Sequence, residues 1–132
     1  MTNDSSLPPT HHNPTDFSGL WIPLITPFRL DSTLDLPALE KLLHHYNALS
    51  IAGLVINGTT GEPSSLSKAE QLTCLDLALA HRQDKRVMAG ISSYSLEAAL
   101  DAVQELNQRC LAGILVSAPA YIRASQAGLI DW

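Results

Sequence analysis

The feature that most constrains this chain is a unit that recurs along it. A short, uninterrupted apolar run is followed by a longer segment whose apolar residues return at helical spacing. The runs are Leu20 to Thr26, Leu54-Val55-Ile56, Arg86 to Ile91 and Gly113 to Ser117. They are not alternating apolar and polar, which is the pattern of strands buried on both faces of a parallel sheet. Pro23 in the first run predicts an irregular strand there. Between the runs the helix signals are specific. Asp35 precedes Leu36-Pro37 as an N-cap, and Leu36, Leu39, Leu42, Leu43, Tyr46 and Leu49 form an apolar stripe. Ser67 with Glu70 makes a capping box, with Leu72, Leu75, Leu77 and Leu79 on the apolar side of the helix it opens. A third helix is predicted over 95–109, with Leu96, Leu100, Val103 and Leu106 inward, and Ser125 opens a fourth. The order is β-α-β-α-β-α-β and the start of one more helix. Two architectures carry it: an open doubly wound sheet, or part of a (β/α)8 barrel.

Composition narrows the function classes. The chain has 132 residues, 45% of them hydrophobic, enough for a core. Thirteen acidic against eight basic residues give a net charge of −5, which argues against a nucleic-acid binder. No apolar stretch is long enough to suit a membrane span, and the first residues lack a cationic start and an apolar h-region. The expected compartment is therefore the cytoplasm. Residues 1–17 are polar and Pro-rich and read as a flexible arm, with His11 and His12 solvated. Residues 18–132 read as the folded part. Cys74 and Cys110 are expected as two buried thiols. His44, His45 and His81 fall on helices and are expected as surface residues, with no metal site.

In parallel α/β folds, chemistry sits where the strands end. The second strand is followed by Asn57-Gly58-Thr59-Thr60-Gly61-Glu62. Gly58 and Gly61 let the backbone turn tightly, and the hydroxyls of Thr59 and Thr60 with nearby amides can hold a small carboxylate. On residues alone, an ordinary βα turn explains the same segment. It is neither a Walker loop nor a dinucleotide fingerprint. Tyr121 follows the fourth strand, and its phenol could relay a proton to a Thr hydroxyl or simply pack. Tyr94, at a helix entrance, is expected to be peripheral.

Taken together, these segments resemble the dihydrodipicolinate synthase / N-acetylneuraminate lyase family of pyruvate-dependent (β/α)8 barrels. The matching pieces run in order. They are Gly19-Leu20-Trp21 with Leu24-Ile25-Thr26-Pro27-Phe28, then Gly53 to Glu62, Leu66-Ser67 with Glu70, Ala89 to Ser92 with Glu97-Ala98, and Val116 to Tyr121 with Ser125 to Leu129. The fold implied is a partial (β/α)8 barrel of about four βα units. The resemblance implies that Thr60, with Gly58, Gly61 and the loop backbone, binds the pyruvate carboxylate. It implies that Thr59 joins a proton relay with Tyr121, which the family contributes across a dimer interface. The adjacent Thr pair favours the synthase branch, which condenses pyruvate with aspartate semialdehyde. A sugar-acid aldolase, an N-acetylneuraminate lyase and a non-enzymatic half-barrel fragment are the alternatives.

The family's chemistry needs no separate cofactor, because a Lys on the sixth strand forms an imine with pyruvate. This chain has three lysines, Lys41, Lys68 and Lys85, none at a strand's C-terminal end. The expectation is an N-terminal half-barrel, truncated in the fourth helix, that lacks the Schiff-base Lys and is inactive alone. The complete enzyme would be a homo-oligomer. The chain also departs from the family at Ala120, Ile122 and Ala124, and has Lys68 where lysine-inhibited members carry His. Lysine feedback therefore does not carry over.

Overall fold

A computed structural model describes residues 16–119 and 123–132. Four parallel strands form one sheet: β1 (Trp21–Pro23), β2 (Gly53–Ile56), β3 (Arg86–Ile91) and β4 (Gly113–Val116), in the order β1-β2-β3-β4. The helices are α1 (Leu36–Asn47), α2 (Lys68–His81), α3 (Leu96–Leu106) and α4 (Gln126–Asp131). Each strand pairs with the next in sequence, with Trp21 opposite Gly53, Leu54 opposite Val87, and Ala89 opposite Ile114. Doubly wound sheets reverse direction near their first strand, whereas a barrel adds every strand on the same side. The sequential order decides between the two architectures, and the chain is part of a barrel.

The register also sorts the side chains. Leu54, Ile56, Val87, Ala89 and Ile91 pack with Leu39 and Leu43 of α1, Cys74, Leu75 and Ala78 of α2, and Ala99 and Leu106 of α3. This is the strand–helix layer of a barrel wall. The opposite face carries Val55, Met88, Gly90 and Leu115, of which Leu115 is exposed. Strands apolar on both faces were expected to be covered on both. Among the described residues the helices cover one face, and β4 leaves Leu115 and Val116 open.

The caps form as their sequences dictate. The Asp35 carboxylate accepts from the Ala38 amide at 3.0 Å. In the Ser67–Glu70 box the Glu70 carboxylate accepts from the Ser67 amide at 2.8 Å, and the Ser67 hydroxyl accepts from the Glu70 amide. In α2, Leu75 is buried with Cys74 and Ala78, and Leu72, Leu77 and Leu79 pack half-buried against that core, as expected. Other packing expectations need correction. In α3 the inward stripe runs through Ala99, Val103 and Leu106, leaving Leu96 and Leu100 exposed. Leu49 lies beyond the end of α1 and is exposed too. Helix α3 ends at Leu106, not at 109, so Cys110 falls in a loop and is exposed rather than buried.

At the end of the expected arm, residues 16–18 are held against the sheet. The Arg86 guanidinium donates to the carbonyls of Asp16 and Ser18 and lies over the Trp21 ring, 4.9 Å from its centroid. His11 and His12 lie outside the described residues.

Candidate functional site

The loop after β2 is built by backbone before side chains. Asn57 leaves the strand with φ of 58°, a left-handed conformation that Asn tolerates better than most residues. Thr59–Gly61 then form a single 3-10 turn. Its bonds run from the Gly61 amide to the Gly58 carbonyl at 2.8 Å and from the Glu62 amide to the Thr59 carbonyl at 3.1 Å. The amides of Thr59 and Thr60 lie outside these two bonds. Glu62 is left-handed as well, with φ of 51°, and a second turn spans Pro63–Ser65.

Three contacts fix this loop. The Thr26 hydroxyl, just beyond β1, donates to the Gly61 carbonyl at 2.7 Å. The Asn57 carboxamide donates to the Gln71 carbonyl on α2 at 3.0 Å. The Gln71 side chain in turn donates to the carbonyls of Pro63 at 2.8 Å and Leu66 at 3.3 Å. Gly90 supplies the clearance on the β3 side. A Cβ there would stand 2.4 Å from the Asn57 carbonyl oxygen and 2.9 Å from the Gly58 Cα. Glycine at 90 is therefore what lets the loop lie across β3.

Thr59 and Thr60 are both exposed, at the C-terminal end of β2, while Gly58 and Gly61 are buried beneath them. The four residues expected to hold a carboxylate thus stand together at the mouth of the partial barrel. Tyr121, the expected relay partner, lies outside the described residues, as do Ala120 and Ile122. Tyr94 is 69% exposed, as its place at a helix entrance implied.

The three lysines stand on helices or in a turn rather than at the end of a strand. Lys41 is exposed on α1, and Lys85 lies in the turn before β3, beside Asp84. Lys68 opens α2, and its ammonium is 2.6 Å from the Glu105 carboxylate of α3, which raises its pKa. A cavity of about 280 Å³ lies between these helices, lined by Asn57, Lys68, Gln71, Ser92, Ser93 and Glu105 among others. The Asn57 Oδ1 is buried without a hydrogen-bond partner.

Two side-chain groupings escaped the sequence reading. Asn47 is buried on α1, and its carboxamide donates to the His81 carbonyl at 2.5 Å, joining the ends of α1 and α2. His44 and His81 are near one another and share Glu40, whereas no carboxylate was expected beside them. The signal was present, because Glu40 and His44 are four residues apart on one helix.

A sequence profile described as the Dihydrodipicolinate synthetase family matches residues 16–132. A 4-hydroxy-tetrahydrodipicolinate synthase of Rickettsia canadensis is 38% identical over 115 residues, covering 86% of this chain and 38% of that protein. The solved 4-hydroxy-tetrahydrodipicolinate synthase of Methylacidiphilum fumariolicum superposes with a TM-score of 0.81 at 32% identity, over 88% of this chain and 39% of that one. The N-acetylneuraminate lyase of Proteus mirabilis shares the fold, with a TM-score of 0.79 at 22% identity, over 86% of this chain and 39% of that one. The chain therefore spans about two fifths of the length of the relatives it matches. Among the described residues, no helix is long and apolar enough to cross a membrane.

Proposed function

The chain belongs to the dihydrodipicolinate synthetase family, and from that premise we propose that it is the pyruvate-carboxylate-binding part of a 4-hydroxy-tetrahydrodipicolinate synthase. The reaction is a Schiff-base aldol condensation of pyruvate with aspartate semialdehyde. An imine between a lysine and the keto group acts as an electron sink, so the pyruvate methyl can lose a proton and attack. The substrate carboxylate must be held while this happens, and the proton must have a hydroxyl route. Thr60 and the loop backbone, with Gly58 and Gly61 allowing close approach, serve the first need. Thr59 with Tyr121 serves the second. The chemistry uses no cofactor beyond the covalent imine.

The observation that carries this reading is the placement of Thr59 and Thr60. Both are exposed at the C-terminal end of β2, on a turn buttoned down by Thr26 and Asn57. Lys68 is paired with Glu105, Lys85 lies beside Asp84 and Lys41 stands exposed on α1, which supports an imine-forming lysine supplied from outside these 132 residues. The second substrate, and the assembly of a homo-oligomer, belong to the complete enzyme.

The test is a pyruvate titration of the chain followed by amide NMR. Shifts should centre on Gly58 to Glu62 and be lost in Thr60→Val. Shifts elsewhere, or none, overturn the carboxylate site. Borohydride with pyruvate should leave the chain unmodified. A reduced adduct on Lys41, Lys68 or Lys85 would overturn the claim that the imine lysine lies outside it.

A further inference from the structure

A cluster of metal-ligating side chains stands far from the strand ends. Glu40 and His44 are one helical turn apart on α1, and His81 is the last residue of α2. Glu40 Oε1 is 3.6 Å from His44 Nε2 and 3.6 Å from His81 Nδ1. All three ligand atoms fall within 4.8 Å of one another. The two imidazoles meet edge to face, with centroids 5.4 Å apart.

We propose that Glu40, His44 and His81 form a zinc site that clips α1 to α2. Zinc takes imidazole nitrogen and carboxylate oxygen at about 2.0–2.2 Å, so neighbouring ligand atoms in a tetrahedral shell lie about 3.3 Å apart. Both distances to Glu40 are already close to that value. They are also longer than a hydrogen bond between nitrogen and oxygen. The carboxylate therefore bonds directly to neither ring, and an ion can sit between the three. Only the edge between the two histidines has to close, and the exposed His44 side chain is free to do so.

The scaffold beneath the cluster is fixed independently. Glu40, His44 and Asn47 share one face of α1, at i, i+4 and i+7. Asn47 holds the backbone of His81 through its carbonyl, so the two helices cannot slide where the ligands meet. The nearby Arg82 guanidinium is occupied by the Cys110 carbonyl, at 3.0 Å. The fourth position is left to water. The site lies at the end of α2 opposite Ser67, about 20 Å along the helix from the end that follows the loop of Thr59 and Thr60. Its role is structural and separate from the keto-acid site.

The experiment titrates the full chain with cobalt(II), reads the ligand-field absorption, and displaces it with zinc. Calorimetry gives the stoichiometry. One ion should bind per chain, with the intense visible bands of a four-coordinate site. His44→Ala, His81→Ala and Glu40→Gln should each weaken binding about tenfold or more. Saturating zinc should raise Tm by about 5 °C or more in the wild type and not in His44→Ala. His11→Ala with His12→Ala should leave binding intact. Because His44 is exposed, its variant should keep the far-UV spectrum of the parent and so decides the matter even if His81→Ala unfolds. No binding at all, equal affinity in His44→Ala, or loss of binding in the His11/His12 variant would each overturn the site.

Discussion

The Thr26 hydroxyl donates to the Gly61 carbonyl across 2.7 Å, so the loops after β1 and β2 act as one unit. Thr59 and Thr60 stand on that unit. Thr26→Val keeps the shape and removes the donor. It should cost about 1 kcal/mol in urea unfolding and speed amide exchange across Gly58 to Glu62. Unchanged exchange in that loop would show that the hydroxyl does not hold it.

Gly90 lies beneath the Asn57 carbonyl with no room for a side chain. The clash is with backbone, which has no rotamer to give. Gly90→Ala should therefore destabilise by about 2 kcal/mol or more, read as a lower urea midpoint with little change in slope. A variant as stable as the parent would mean that the loop can move off β3 freely.

Asn57 combines a left-handed backbone with a carboxamide bonded to Gln71. Asn57→Gly loses only the second feature, and Asn57→Ala loses both. The alanine variant should be the less stable by about 1 kcal/mol. An alanine variant as stable as the glycine one, or more stable, would show that the left-handed backbone at 57 exacts no penalty from a side chain.

Ser67 holds the Glu70 carboxyl below its ordinary pKa, through its hydroxyl and its amide. A carboxyl depressed in the folded state contributes stability above its unfolded pKa and loses it as pH falls through the folded value. The Tm gap between wild type and Ser67→Ala should therefore be widest near neutral pH and narrow in acid. Asp16 and Asp31 are depressed in the same way, by Ser18 and Thr33, and both variants share their contribution. A gap that widens in acid would contradict the capping geometry.

Cys110 is exposed while Cys74 is 1% exposed, with burial, and then the nearby Glu70 charge, pushing its thiol up. An aromatic disulfide reagent should titrate one thiol rapidly in the folded chain and the second only on unfolding. Cys110→Ser should abolish the fast phase.

The strands and helix starts were legible because each has a local cause. Asp35, Ser67, Ser95 and Ser125 cap their helices from within one turn of chain, and β3 matches its apolar run from Arg86 to Ile91. The loop of Thr59 and Thr60 was legible as a position, since strand ends are where such folds expose backbone. What was not legible depends on residues distant in sequence. The inward face of α3 passes through Ala99 rather than Leu96 and Leu100, because the phase is set by contact with β3 and not by side-chain size. Cys110 emerged because α3 stops early. The meeting of Glu40 with His81 needed the packing of α1 on α2, which no spacing in either helix states.

Because β1, β2 and β3 each pair with the strand that follows in sequence, each new βα module finds its docking surface in the module made just before it. A nascent polypeptide leaving the ribosome can thus accrete this part of its wall one stave at a time, each added to an edge already synthesised.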